Sequence, residues 1–182
     1  MAVDPRLTAL RTKVAELADR IVASQGRWMR CAPGCSECCE VDFGVFPVEA
    51  EAVEASARAL PEPIALEVAR RLRAGLHCVF LVEHRCAVYD ERPIICRTQG
   101  LPLQLDDGSR TACPLNFAQE GALEQLPAAQ VLNLELLNRV LAGIQAATAG
   151  ERGLPDDRVR LATVAHRVLS GRFPLDAEGQ SD

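Results

Sequence analysis

Apolar residues recur at helical spacing from the start of the chain. Leu7, Leu10, Val14, Leu17, Ile21 and Val22 share one face, which predicts an amphipathic helix over residues 5–24. Asp4 and Pro5 supply an N-cap and a first-turn proline, and Gln25-Gly26 ends the helix. Residues 27–46 show no period and read as irregular. Pro47 opens a second helix, Val48 to Leu60, with Glu49, Glu51 and Glu54 favouring its N-terminal half. Pro61-Glu-Pro63 breaks the chain, and a third helix runs from about Ile64 to Ala74, where Gly75 stops it.

The pattern then changes. Cys78-Val-Phe-Leu81 and Cys86-Ala-Val-Tyr89 read as two short strands joined by a tight connection. A two-residue loop at Glu83-His84 would put the two cysteines on opposite faces; the expected connection is a three-residue loop, Val82-Glu83-His84, which pairs Phe80 with Cys86 and puts both on one face. Asp106-Asp-Gly-Ser109 is a turn. Pro127 starts a long helix with a stripe of Val131, Leu134, Leu137, Leu141 and Ile144, and a last helix covers about Asp157 to Leu169. The expected fold is mainly α: helices flanking an irregular, cysteine-rich metal-binding core with a short β-hairpin. It forms one domain over 1–182, with the core at about 27–117, a C-terminal helical part at about 127–170 and a frayed tail at 174–182.

Composition adds little to the fold but narrows the function. At 182 residues and 48% hydrophobic, the chain can bury a sizeable core. A formal charge of −5 without a basic cluster gives no reason to expect nucleic acid. The longest apolar stretches, such as Cys78 to Val82, are far too short to span a bilayer. The first twenty residues carry charges throughout and lack the apolar centre of a secretory leader, so the expected compartment is the cytoplasm. There, clustered cysteines favour metal or redox chemistry over stable disulfides.

The candidate chemistry is sulfur. The eight cysteines are Cys31, Cys35, Cys38, Cys39, Cys78, Cys86, Cys96 and Cys113, and the long flanking helices hold none. They sit beside Pro33, Gly34, Arg85, Arg97 and Pro114, not within apolar stripes. Cys35-Ser-Glu-Cys38 is a C-x2-C pair, a spacing that lets two sulfurs converge on one tetrahedral ion around a tight turn. If 35–39 is a helical turn, Cys35, Cys38 and Cys39 share a face; in a knuckle-like turn Cys39 points elsewhere, toward a second ion. Cys31 approaches from a loop, since Pro33 and Gly34 interrupt any helix. The remaining four ligands come from 78–113, so the site joins two remote segments, where a cross-link constrains the unfolded chain most. Arg27, Arg30, Arg85, Arg92, Arg97 and Arg110 lie within four residues of a cysteine, and some of them can offset thiolate charge. His77 and His84 flank cysteines but are not needed as ligands.

These residues resemble the CxxCxxCC family of zinc- or iron-chelating proteins, also called the YkgJ-type cysteine cluster family. The resemblance rests on the run Cys31 to Cys39, on Cys78-Val-Phe-Leu81, on Cys86-Ala-Val-Tyr89, on Arg92-Pro-Ile-Ile-Cys-Arg97 and on Cys113, over about residues 28–117. The first spacing is x3, where the family name has x2. The resemblance implies eight metal-site cysteines; some members are described as iron–sulfur proteins, and flagellin lysine N-methylases carry a related cluster.

No glycine-rich dinucleotide loop, phosphate loop or serine-nucleophile elbow occurs. No general base stands beside the cysteines in sequence, which ranks an enzyme last. The expected function is therefore metal binding at an all-cysteine site holding an iron–sulfur cluster or zinc. The first case implies a redox or cluster-dependent role. The alternative is a structural zinc module that binds a protein partner.

Overall fold

A computed structural model describes residues 3–175. In chain order its elements are α1 (Pro5–Gln25), β1 (Gly44–Val45), α2 (Pro47–Arg58), α3 (Glu62–Arg73), β2 (Leu81–Val82), β3 (Arg85–Cys86) and α4 (Ile94–Thr98). There follow β4 (Leu103–Gln104), β5 (Arg110–Thr111), β6 (Leu132–Asn133), α5 (Leu134–Arg152), β7 (Val159–Arg160) and α6 (Leu161–Leu169). The protein is mainly α with a few short strands. Among the described residues, no helix is long and apolar enough to cross a membrane.

The backbone groups into two compact units. Among the described residues, one comprises Ser36–Pro93 together with residues 155–175. In it α6 packs on both α2 and α3, and α3 also meets β2. Ala52, Val53 and Ala57 of α2, Val68 of α3, and Val164 and Leu169 of α6 are buried there, as is Phe80 before the hairpin. Small residues dominate α2, which lets the helices approach closely. The Glu49 carboxylate accepts the Phe46 N–H at 3.3 Å, so an acidic side chain satisfies a free donor at the start of α2. β1 pairs antiparallel with β7, Val45 opposite Val159.

The second unit comprises residues 3–35 and Ile94–Leu154. α1 packs on α4 and α5, burying Leu7, Val14 and Ile21 with Leu137, Leu141 and Ile144. β4 lies between β5, antiparallel, and β6, parallel. Asp4 begins α1 as expected: its carboxylate accepts the Arg6 N–H at 2.8 Å and pairs with the Arg6 guanidinium at 2.7 Å. The buried Thr148 hydroxyl of α5 donates to the same carboxylate at 2.8 Å. The Arg6 hydrogen bond, with help from Thr148, holds Asp4 well below the usual carboxylate range, although burial acts the other way. A lowered folded-state pKa means this stability is present above the unfolded value, about 3.9, and is lost as pH falls. Asp4→Ala should cost about 1–2 kcal/mol at pH 7. That gap should narrow below about pH 4, as urea melts of both chains at the two pH values would measure.

Three boundaries differ from the sequence expectation. The long helix begins at Leu134, not Pro127, because Leu132 pairs with Leu103 of β4 and the Asn133 side chain caps the helix by accepting the Leu136 N–H at 2.7 Å. The last helix begins at Leu161, because Val159–Arg160 is engaged by β1. The hairpin register is Leu81 opposite Cys86 and Val82 opposite Arg85, so the loop is the two residues Glu83-His84 and not three. Both loop residues are left-handed, at φ 48° and 61°, as a type I′ hairpin turn requires. Cys78 precedes the strand, its C=O accepting the Leu81 N–H at 3.0 Å, so strand alternation does not govern where it points. Of the tail expected at 174–182, residues 176–182 lie outside the described residues.

Candidate metal centre

The first unit holds Cys38, Cys39, Cys78 and Cys86, all half-buried. Cys38 and Cys39 lie in one turn of 3-10 helix, Glu37–Cys39, closed by the Cys39 N–H on the Ser36 C=O at 2.8 Å. Cys35 stands outside that turn, so the single helical face for Cys35, Cys38 and Cys39 is not formed. The Cys78 N–H donates to the Cys39 C=O, which ties the opening cysteine run to the loop before the hairpin. Arg71 of α3 holds that loop from the other side, donating to the Cys78 and His77 carbonyls at 3.2 Å. Ser36 Oγ lies 3.3 Å from His84 Nδ1, a further link from the opening run to the hairpin.

Three of these thiols, Cys38, Cys78 and Cys86, have their pKa pushed up. For Cys38 the main cause is the hydrogen bond it shares with Cys39, followed by burial and the Cys39 charge. Burial raises Cys78 to about 11, and the Cys86 charge adds to it. Burial also raises Cys86. The Arg92 guanidinium opposes the shift at Cys38 and Cys86 alike. It stacks 3.6 Å from the centre of the Tyr89 ring, which fixes its position. A cation held this way offsets the negative charge that thiolates bring to a metal.

The second unit holds Cys31 and Cys35, both exposed, and Cys96 and Cys113, both half-buried. Cys35 closes a turn over Pro33 and Gly34, its N–H reaching the Ala32 C=O at 2.9 Å with Gly34 at φ 95°. Cys96 rides on α4, whose Ile94 is buried. Sequence reasoning missed the residue that organises this group, Asn116. It is 3% exposed, and its side chain makes three hydrogen bonds. Oδ1 accepts the Arg30 N–H at 2.7 Å, while Nδ2 donates to the Gly100 C=O at 2.7 Å and to Cys31 Sγ at 3.2 Å. Its own N–H reaches the Cys113 C=O at 2.8 Å. An asparagine three residues beyond a cysteine carries no sequence signal of this kind. Asn116→Ala leaves the Arg30 N–H and the Gly100 C=O without that partner and should destabilise this unit by about 1–3 kcal/mol. An unchanged urea midpoint would contradict that.

Among the described residues, no group of three or more Cys, His, Asp or Glu side chains stands assembled as a metal cage. The donor chemistry nonetheless suits zinc or iron: soft thiols, a cation whose charge acts on two of them, and an amide N–H aimed at a third. Gly100, at φ 85°, leaves the space that Cys31 Sγ occupies; a Cβ there would collide with the sulfur.

Residues 30–114 match the CxxCxxCC family model, described as "Putative zinc- or iron-chelating domain". The matched span includes all eight cysteines. No curated protein and no solved structure matches the chain. Over residues 30–114 the chain is thus similar to the CxxCxxCC family, whose description is zinc or iron chelation.

Proposed function

We propose that the protein binds an iron–sulfur cluster through its cysteine thiolates and serves a redox or cluster-dependent role. The observation that carries this reading is the family match across all eight cysteines, in a description that names iron. The ligands would be Cys31, Cys35, Cys38, Cys39, Cys78, Cys86, Cys96 and Cys113. When bound, a cluster supplies one-electron chemistry whose potential is set by neighbouring charge and by hydrogen bonds to sulfur. Arg92 and Asn116 are placed to provide those two influences.

The same description names zinc, and four thiolates accept zinc equally well. In that second reading the metal is structural and the protein presents a surface to a protein partner. Both readings place it in the cytoplasm, where thiols stay reduced and available.

Anaerobic purification followed by metal and sulfide analysis separates the two. The first reading expects iron with acid-labile sulfide and a visible absorption that bleaches on reduction. The second expects stoichiometric zinc and a colourless protein. A chain that takes up neither metal would refute both.

A further inference from the structure

We propose that Asn116 is an outer-sphere partner of the metal at Cys31: its Nδ2–H, held on Cys31 Sγ, orients that sulfur and draws charge from it when a metal is bound. This rests on the metal-binding reading above, with Cys31 as one ligand. It gives a role in holding the metal to a residue that lies beyond the 30–114 span of the family match.

Backbone groups, not the sulfur, decide which way the amide faces. Oδ1 meets the Arg30 N–H at 2.7 Å, a group that can only donate. Nδ2 meets the Gly100 C=O at 2.7 Å, a group that can only accept. Turning the amide over would set donor against donor and acceptor against acceptor, in a side chain that is 3% exposed. The other Nδ2 hydrogen is therefore left for Cys31 Sγ, 3.2 Å away. What the sulfur meets at this point is a fixed donor.

Gly100 makes room for the arrangement. Its φ is 85°, and a Cβ built there would meet both Cys31 Sγ and Asn116 Nδ2. Cys31 itself is exposed, so a sulfur bound by a buried amide stays open to a metal. Arg30, Cys31, Gly100 and Asn116 all belong to one unit. A thiolate accepts such a hydrogen bond more strongly than a neutral thiol does, and the donor is already in place. Partners of this kind change metal affinity by about 10–100-fold and, for a cluster, shift its potential.

The test uses the full chain loaded anaerobically with zinc alone. Asn116→Asp keeps an acceptor for the Arg30 N–H but sets an acceptor against Sγ. It should release zinc to a competing chelator about 10–100-fold faster than wild type. Cobalt loading adds a readout that folding alone would not move. Losing the N–H raises the sulfur lone pairs in energy, so the thiolate-to-cobalt charge-transfer band should move to longer wavelength in Asn116→Asp and, by less, in Asn116→Ala. A third measurement needs no variant. In the 15N-labelled wild type, cadmium-113 loading should shift the Asn116 side-chain N–H signals. Zinc release at the wild-type rate, faster release with an unmoved cobalt band, or Asn116 signals that cadmium leaves in place would each overturn this role while metal binding stands. A wild-type chain that takes up none of the three metals overturns the binding reading and this role with it.

Discussion

Gly100→Ala should destabilise the unit that holds Cys31 by about 2–4 kcal/mol and strip protection from that sulfur. Two independent effects add at this position. The backbone is left-handed at φ 85°, which a β-carbon disfavours. The new methyl group would also run into Cys31 Sγ and lie 3.0 Å from Asn116 Nδ2, so the network that orients both must open. Gly34→Ala is the control. Its φ is 95°, but nothing lies within 4 Å of an added Cβ, so it carries backbone strain without collision. Urea melts should rank wild type above Gly34→Ala and Gly34→Ala above Gly100→Ala, with faster Cys31 alkylation in the last. Equal effects of the two substitutions would mean that the space beside Cys31 is not what Gly100 provides.

Phe80→Ala should cost about 3–5 kcal/mol, the range for emptying an aromatic site in a core that cannot fully collapse. Phe80 is 1% exposed and is the largest of the fully buried side chains. Its carbonyl also accepts the Ala87 N–H at 2.8 Å, just beyond the paired strands β2 and β3. The loss should therefore reach Cys78 and Cys86, which flank this hairpin, as faster alkylation of both. Unfolding at the wild-type urea concentration would show that the aromatic ring contributes little to this core.

Local features were legible wherever one short segment decides the outcome. Asp4, Pro5 and the stripe from Leu7 to Ile21 define α1, and proline and glycine punctuation delimits α2 and α3. The starts of α5 and α6 were misplaced because distant strands claim the residues before them: β4 takes Leu132, and β1 takes Val159. No local pattern reveals a two-residue pairing across such separations. The hairpin register turned on Glu83 and His84, both left-handed without the glycine or asparagine that usually signals such a turn. At the site, the cysteines and their family resemblance were plain in the letters. The division of the opening run between Cys35 and Ser36, and the role of Asn116, depend on tertiary contacts alone.

The most direct measurement is a count of the sulfurs that a bound metal shields. The chain is purified anaerobically and split, one half keeping its metal and the other stripped by chelator, and every cysteine is then scored for alkylation. All eight sulfurs should be protected in the first half and reactive in the second. Equal reactivity in both halves, or protection confined to the 31–39 run, would contradict a metal held jointly by the opening and later cysteines.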